Sequence, residues 1–266
     1  MIVLMKKKSN ILFRRVMCAL LLTHCSLFTA MAQDKPEPYI DAALVSHYMW
    51  RGQDLGNVCF QPEIGIQWKG LDLGLEGSTG FTHEEYEELD IHLNYRYKGF
   101  NIGVTDMWAE GSLDSRYFSY DSRLGGHQFE GEIGYECKYG SLTWHTIFAG
   151  NDFKINGDRA YSSFVELAVP FKFFDLDWDF RLGVCPYESS GATISIDSED
   201  DLGNPITESY TAYFYAGGFG VNMVSLRATK NFPLSQKFKL PVFVEIHANP
   251  AAENARILMG ISLATF

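Results

Sequence analysis

Beyond its first 32 residues the chain has no run of about 18 consecutive apolar residues, so no helix built from it can span a bilayer. It also shows almost no helical periodicity. Basic residues are scarce, with 22 Lys and Arg against 33 Asp and Glu, which excludes nucleic acid as a partner because phosphate binding needs a basic surface. Five cysteines are present, two of them in the first 32 residues. Cys59, Cys137 and Cys185 are then an odd set without CxxC spacing; they leave room for one bridge but imply no disulfide framework. There is no Gly-x-Ser-x-Gly elbow and no His-Glu-x-x-His metal motif, so neither an enzyme activity nor a cofactor is expected.

The first 32 residues read as a secretory leader. Lys6, Lys7, Lys8, Arg14 and Arg15 make a basic start, Val16 to Phe28 a mostly apolar stretch, and Ala30-Met31-Ala32 a small-x-small cleavage pattern. Cleavage after Ala32 is expected. A lipoprotein signal at Cys25 fits poorly with His24 before it. The leader holds five of the basic residues and none of the acidic ones, so residues 33–266 carry a net charge of −16. That charge suits an exported protein with a cation-attracting interior or mouth. No linker divides 33–266, which is read as one domain.

What the chain has in abundance is a period of two. Leu89, Ile91, Leu93, Tyr95 and Tyr97 alternate with Asp90, His92, Asn94 and Arg96. Successive strand side chains point to opposite faces, so such a segment has one apolar and one charged face. The same alternation runs through Leu71–Glu76, Glu132–Glu136 and Leu176–Gly183. About twelve strands result, near 40–51, 58–69, 71–80, 86–97, 99–109, 127–138, 141–150, 160–172, 176–186, 219–230, 239–248 and 256–266. Tight turns fall at Lys69-Gly70, Lys98-Gly99, Tyr139-Gly140, Phe174-Asp175 and Pro233-Leu234. Long loops, notably 110–126 and 187–218, join the other strand ends. The expected fold is therefore all-β: an antiparallel up-and-down transmembrane β-barrel with short periplasmic turns, in the outer membrane of a Gram-negative bacterium.

A soluble barrel or sandwich with the apolar face inward would alternate in the same way. Three features oppose it. Twelve strands enclose more space than wall side chains fill, whereas soluble barrels of this kind use about eight. Aromatic residues gather at both strand ends: Trp68, Tyr95, Tyr97, Phe100, Tyr135, Tyr139 and Trp178 toward the short turns, and Trp50, Trp108, Phe129 and Phe148 toward the long loops. The chain ends on Phe266, as outer-membrane barrels do. Its phase conflicts with the apolar set Ile257, Met259, Ile261 and Leu263, and a bulge near Ala264 would reconcile them.

Ser46-His47-Tyr48-Met49-Trp50-Arg51-Gly52 resembles the S-[DE]-Y-x-[FW]-R-G segment of the TorF family, a group of exported porin-type proteins without a defined substrate. Glu88-Leu89-Asp90-Ile91 with Tyr95 is similar to its second recurring segment. Together they cover roughly the first 80 residues after the leader. His47 stands where an acidic residue is usual, which removes a ready charge partner for Arg51. The resemblance implies an outer-membrane location and a pore.

With the apolar face toward lipid, the charged face lines the lumen, because a charge facing lipid costs several kcal/mol. Arg51, Arg96, Arg181 and Arg227 are the candidates for a constriction, with Glu63, Asp72, Glu76, Asp90, Glu132, Asp177 and Asp179 as the lumenal acids. Two readings of that lumen stand side by side: a hydrated channel passing small, preferentially cationic solutes, or an interior sealed by Arg–carboxylate networks in a structural or surface-binding barrel. A barrel-borne hydrolase is a third. His83 with its neighbouring glutamates and Asp197–Asp201 read as solvated charged loops rather than metal sites. The Tyr- and Phe-rich segments 110–126 and 205–219 read as strand extensions above the membrane.

Overall fold

Strands with one apolar and one polar face can bury neither alone, and a closed sheet lets both be satisfied at once. A computed structural model shows that solution; it describes residues 35–82, 86–199, 205–235 and 238–264. The leader and its cleavage point, His83 with Glu84 and Glu85, Asp200, Asp201 and Phe266 lie outside the described residues.

Twelve strands close the barrel. In chain order the first are β1 (Glu37–Val45), then, after the short β2 (Tyr48–Trp50) and β3 (Gln53–Gly56), β4 (Cys59–Trp68), β5 (Leu71–Gly80), β6 (Glu88–Tyr97) and β7 (Phe100–Ala109). They continue as β8 (His127–Cys137), β9 (Gly140–Gly150), β10 (Ser163–Phe173) and β11 (Leu176–Cys185). β12 (Gly191–Glu199) and β13 (Pro205–Tyr213) pair only with each other. β14 (Gly220–Pro233), β15 (Lys239–Asn249) and β16 (Asn254–Ala264) complete the ring. Its order is β1-β16-β15-β14-β11-β10-β9-β8-β7-β6-β5-β4, and β1 seals it against β16 with Val45 opposite Gly260 and against β4 with Val45 opposite Cys59.

Each of the twelve expected strands corresponds to a barrel strand within a few residues, except the first. That strand ends at Val45 rather than Arg51. The short turns have the expected chemistry. Lys69 and Gly70 have φ of 50° and 87°, Lys98 and Gly99 repeat the pair, and Phe174 and Asp175 have 48° and 57°. Two successive left-handed residues make the type I′ hairpin, whose twist matches that of the flanking strands. The expected extension of 110–126 as strand is corrected: this loop carries only an isolated bridge and folds back, with the Tyr120 ring stacked 4.1 Å from that of His127. Residues 205–213 do extend, paired with 191–199.

The barrel is turned inside out relative to a soluble protein. On β6, Leu89, Ile91, Leu93 and Tyr95 are exposed while Asp90 and His92 are buried. On β16, Ile257 is 69% and Met259 58% exposed, with Leu258 between them at 3%. Tyr97, Phe100, Tyr135 and Phe173 form an exposed aromatic belt toward the short turns. An apolar exterior with aromatic rims and a polar lumen is the distribution of a barrel that faces lipid. Cys137, which is exposed, and Cys185, which is buried, are free thiols.

Leu93→Lys, at mid-strand on the lipid face, should therefore destabilise the refolded barrel by about 2–4 kcal/mol. Gln61→Lys on the lumen face should change it by less than about 1 kcal/mol. Urea unfolding of both variants in lipid vesicles checks this, and equal costs would contradict the assignment of faces.

Candidate functional site

Between β1 and β4 the chain does not rise above the rim. Residues 46–58 leave the wall, and β2 pairs with β3 as a hairpin folded into the lumen. This corrects the reading of 40–51 as one wall strand, and of Trp50 as a lipid-facing aromatic. Its physical cause is the tip: Arg51 and Gly52 are both left-handed, with φ of 49° and 87°. Gly52 is demanded twice over, since a Cβ there would lie 1.8 Å from the Asn222 carbonyl oxygen.

Two apolar patches on the inner wall seat the hairpin. Val45, Cys59, Phe243 and Leu258 pack against Tyr48 and Met49. Phe164, Cys185, Tyr215 and Met223 pack against Trp50 and Phe214. A register shift opposite Gly183 and Val184 bulges β14 at Asn222. Its side chain then accepts from the Cys185 amide at 3.1 Å and donates to the Tyr215 carbonyl at 2.8 Å. Asn249 Nδ2 donates to the Gly52 carbonyl at 3.0 Å, and Arg256 reaches Asp54 at 2.9 Å.

The polar anchor is Arg51. Its guanidinium grips Glu130 on β8 with both terminal nitrogens, Nη2 to Oε1 at 2.7 Å, and Nη1 also donates to the Tyr215 hydroxyl at 2.8 Å. Its carbon lies 4.4 Å from the centre of the Trp50 ring and 5.4 Å from that of Phe164. Glu130 is 5% exposed and has His145 Nδ1 at 3.1 Å as a further partner. A buried ion pair repays its desolvation only with such two-pronged geometry and with the remaining lone pairs occupied. On the other side, among the described residues, the hairpin is held by a bond from the Tyr48 hydroxyl to Glu88 on β6 and by the Tyr48 ring against that of Tyr86, 5.9 Å away.

The other expected arginines are distributed differently. Arg181 pairs with Glu166 at 3.1 Å and Asp179 at 2.8 Å, and Arg227 with Glu245 at 2.6 Å, beside His247. Asp177 accepts from Lys172 and Asn231, and Glu132 from Asn101, with His145 at 3.5 Å. Arg96 stands exposed at the short-turn mouth, one residue from the end of β6, and away from the hairpin. Glu63, Asp72, Glu76 and Asp90 share one wall, β4–β6, together with Glu88. In the ring order β4, β5 and β6 lie opposite β10, β11 and β14. Arginine–carboxylate pairs thus occupy one side, and among the described residues no Lys or Arg pairs with the five carboxylates facing them.

The hairpin leaves space on that acidic side. A cavity of about 530 Å³ lies between Tyr48 and Trp50 of the hairpin and Glu63, Glu76 and Asp90 of the wall. A second, of about 220 Å³, continues toward the long loops past Gln53, Met107 and Glu110. Both are lined by Trp50, Glu88 and Asp90, so the two spaces adjoin at these residues, termed the neck. Residues that sequence reasoning passed over as site candidates are Glu130 and Tyr215, which hold Arg51, and Tyr48, which meets Glu88. Outside the lumen, Asp114 is held well below the usual carboxylate range by hydrogen bonds from Arg116 and Ser119, which stiffens the folded-back loop.

No protein-family model matches the chain, and no curated protein matches it. Among solved structures it is similar to Salmonella typhi OmpF in complex with daunomycin, at 10% identity over 87% of this chain and 98% of that one, with a TM-score of 0.35.

Arg51→Ala strands the Glu130 carboxylate in a buried setting, a loss of about 3 kcal/mol. Amide exchange across the hairpin should accelerate by roughly a hundredfold while the barrel strands stay protected. Mass-spectrometric hydrogen exchange in detergent checks both halves of that statement. Arg51→Ala/Glu130→Ala should exchange no faster than the single variant, because the stranded charge is gone.

Proposed function

We propose that the protein is an outer-membrane channel, narrowed by the lumenal hairpin, for passive passage of small and preferentially cationic solutes. The observation that carries this reading is the cavity between the hairpin and the β4–β6 wall, where carboxylates that pair with no Lys or Arg among the described residues line the open side. At the level of the hairpin arginine charge is committed to pairs, so the uncompensated field at the neck is negative and draws cations into a confined space. The resemblance to the TorF family supports a pore on the same grounds. Of its segment, Tyr48, Trp50, Arg51 and Gly52 are the residues that seat the hairpin.

One observation favours the alternative, a barrel that does not conduct. Bonds and packing from the hairpin reach β6, β8, β10, β14, β15 and β16, so it bridges the lumen. Conductance decides between the two. In a planar bilayer under a salt gradient the refolded chain should give small discrete steps with a cation-selective reversal potential. Glu76→Gln with Asp90→Asn should move that potential toward zero, and Arg51→Ala should raise the step size several-fold. Silence of both the wild type and Arg51→Ala would establish the sealed barrel instead.

A further inference from the structure

We propose that Glu63, Glu76 and His92, on three adjacent strands of the acidic wall, form a lumenal binding site for one divalent transition-metal ion. One ligand atom from each lies within 4.8 Å of the others. Bonds of about 2.1 Å to a shared ion require separations no greater than about 4.2 Å, a contraction that rotation of the two glutamate side chains supplies.

Carboxylates alone would not make this site, and His92 is the independent observation. The residue is 7% exposed, yet neither ring nitrogen makes a hydrogen bond among the described residues. Its Nε2 points into the cluster, 4.0 Å from Glu63 Oε1 and 3.8 Å from Asp72 Oδ1, too far for a hydrogen bond and about the spacing an interposed ion leaves. Space for the imidazole is built into the wall. A Cβ on Gly74 would lie 2.4 Å from His92 Cε1 and 2.8 Å from the Tyr39 hydroxyl.

The local count of donors points the same way. Tyr39 has one hydroxyl proton but sits 2.8 Å from Glu63 and 3.1 Å from Asp72. Gln67 gives Asp72 one further bond at 3.2 Å. Three carboxylates and an imidazole lone pair thus converge on fewer protons than they can accept. Tyr39 orients Glu63 and Asp72, while Glu63, Glu76 and His92 face the gap. One imidazole with carboxylate oxygens suits a borderline ion such as Zn²⁺, and the nitrogen disfavours Mg²⁺.

The site depends on the lumenal position of this wall and not on conduction, so binding is measured on the refolded full barrel in detergent. Equilibrium dialysis against Zn²⁺ should load one ion per chain, retained against excess Mg²⁺. Co²⁺ should give visible ligand-field bands. His92→Gln and, separately, Glu76→Gln should each weaken binding by about tenfold or more while the heat-modifiable mobility of the folded barrel persists. No uptake by the wild type, displacement by Mg²⁺, or variants that bind as tightly as the wild type would overturn the proposal. In a bilayer, Zn²⁺ should also block any current through the wild type but not through His92→Gln. A silent barrel refutes the channel and leaves the binding result standing.

Discussion

The contact between Arg51 and Glu130 joins a loop to the far wall of the barrel, and the shape of the lumen depends on it. Twelve strands enclose a space that wall side chains cannot fill by themselves. Water can occupy that space, or the chain can supply something to put there. Here the first long connection supplies it. A short hairpin carries the half-buried Met49 and Trp50 onto two inner apolar patches, each side chain contributing part of the roughly 1.5–3 kcal/mol that full burial would give. Burial alone would hold the hairpin without fixing its depth. The guanidinium, locked between a two-pronged carboxylate and the Tyr215 hydroxyl, fixes it.

That anchor also explains the distribution of charge. Every arginine at hairpin level or along β11 and β14 is committed to a carboxylate of its own neighbourhood. Such pairs are close to neutral seen from the lumen. The β4–β6 wall has no comparable neutralisation: among the described residues its acids meet hydroxyls, the Gln67 amide, a backbone amide and His92. Keeping five carboxylates side by side costs repulsion, which water in the adjoining cavity screens only partly. In the proposed channel such a wall would attract a cation, and the hairpin would confine that cation to its side.

Much of this architecture could be read from residues, and the part that could not has a definite reason. Alternation is a binary signal, so Leu89–Tyr97 declared two faces, and the charged face had to be lumenal once the other met lipid. Lys69-Gly70 and Lys98-Gly99 announced their turns by residue type. The hairpin was hidden because Tyr48 and Trp50 continue the period of two past Val45, and nothing in alternation marks where a strand leaves its sheet. A subtler signal was present. Phe164, Met223, Phe243 and Leu258 are apolar residues in the lumenal phase, and an apolar patch inside a polar lumen needs a cover. Arg96 shows another limit: phase gives the face, but only register gives the depth.

The hairpin is held unequally. Toward β8, β10 and β14 it has the ion pair, the Trp50 packing and the close approach of Gly52 to the Asn222 carbonyl. Toward the acidic wall it has the Tyr48 hydroxyl on Glu88. A single neutral-to-charged hydrogen bond contributes about 1.5–3 kcal/mol, less than the sum on the other side. In the proposed channel the hairpin would therefore part from β6 before it parted from β8, and the passage would widen along the carboxylates. Size and charge selection would then act at one place, where Glu88 and Asp90 line the space beside Trp50. In that channel a cation could take over the Glu88 oxygen that Tyr48 holds, so the solute that the wall attracts would also be the one that favours the wider neck.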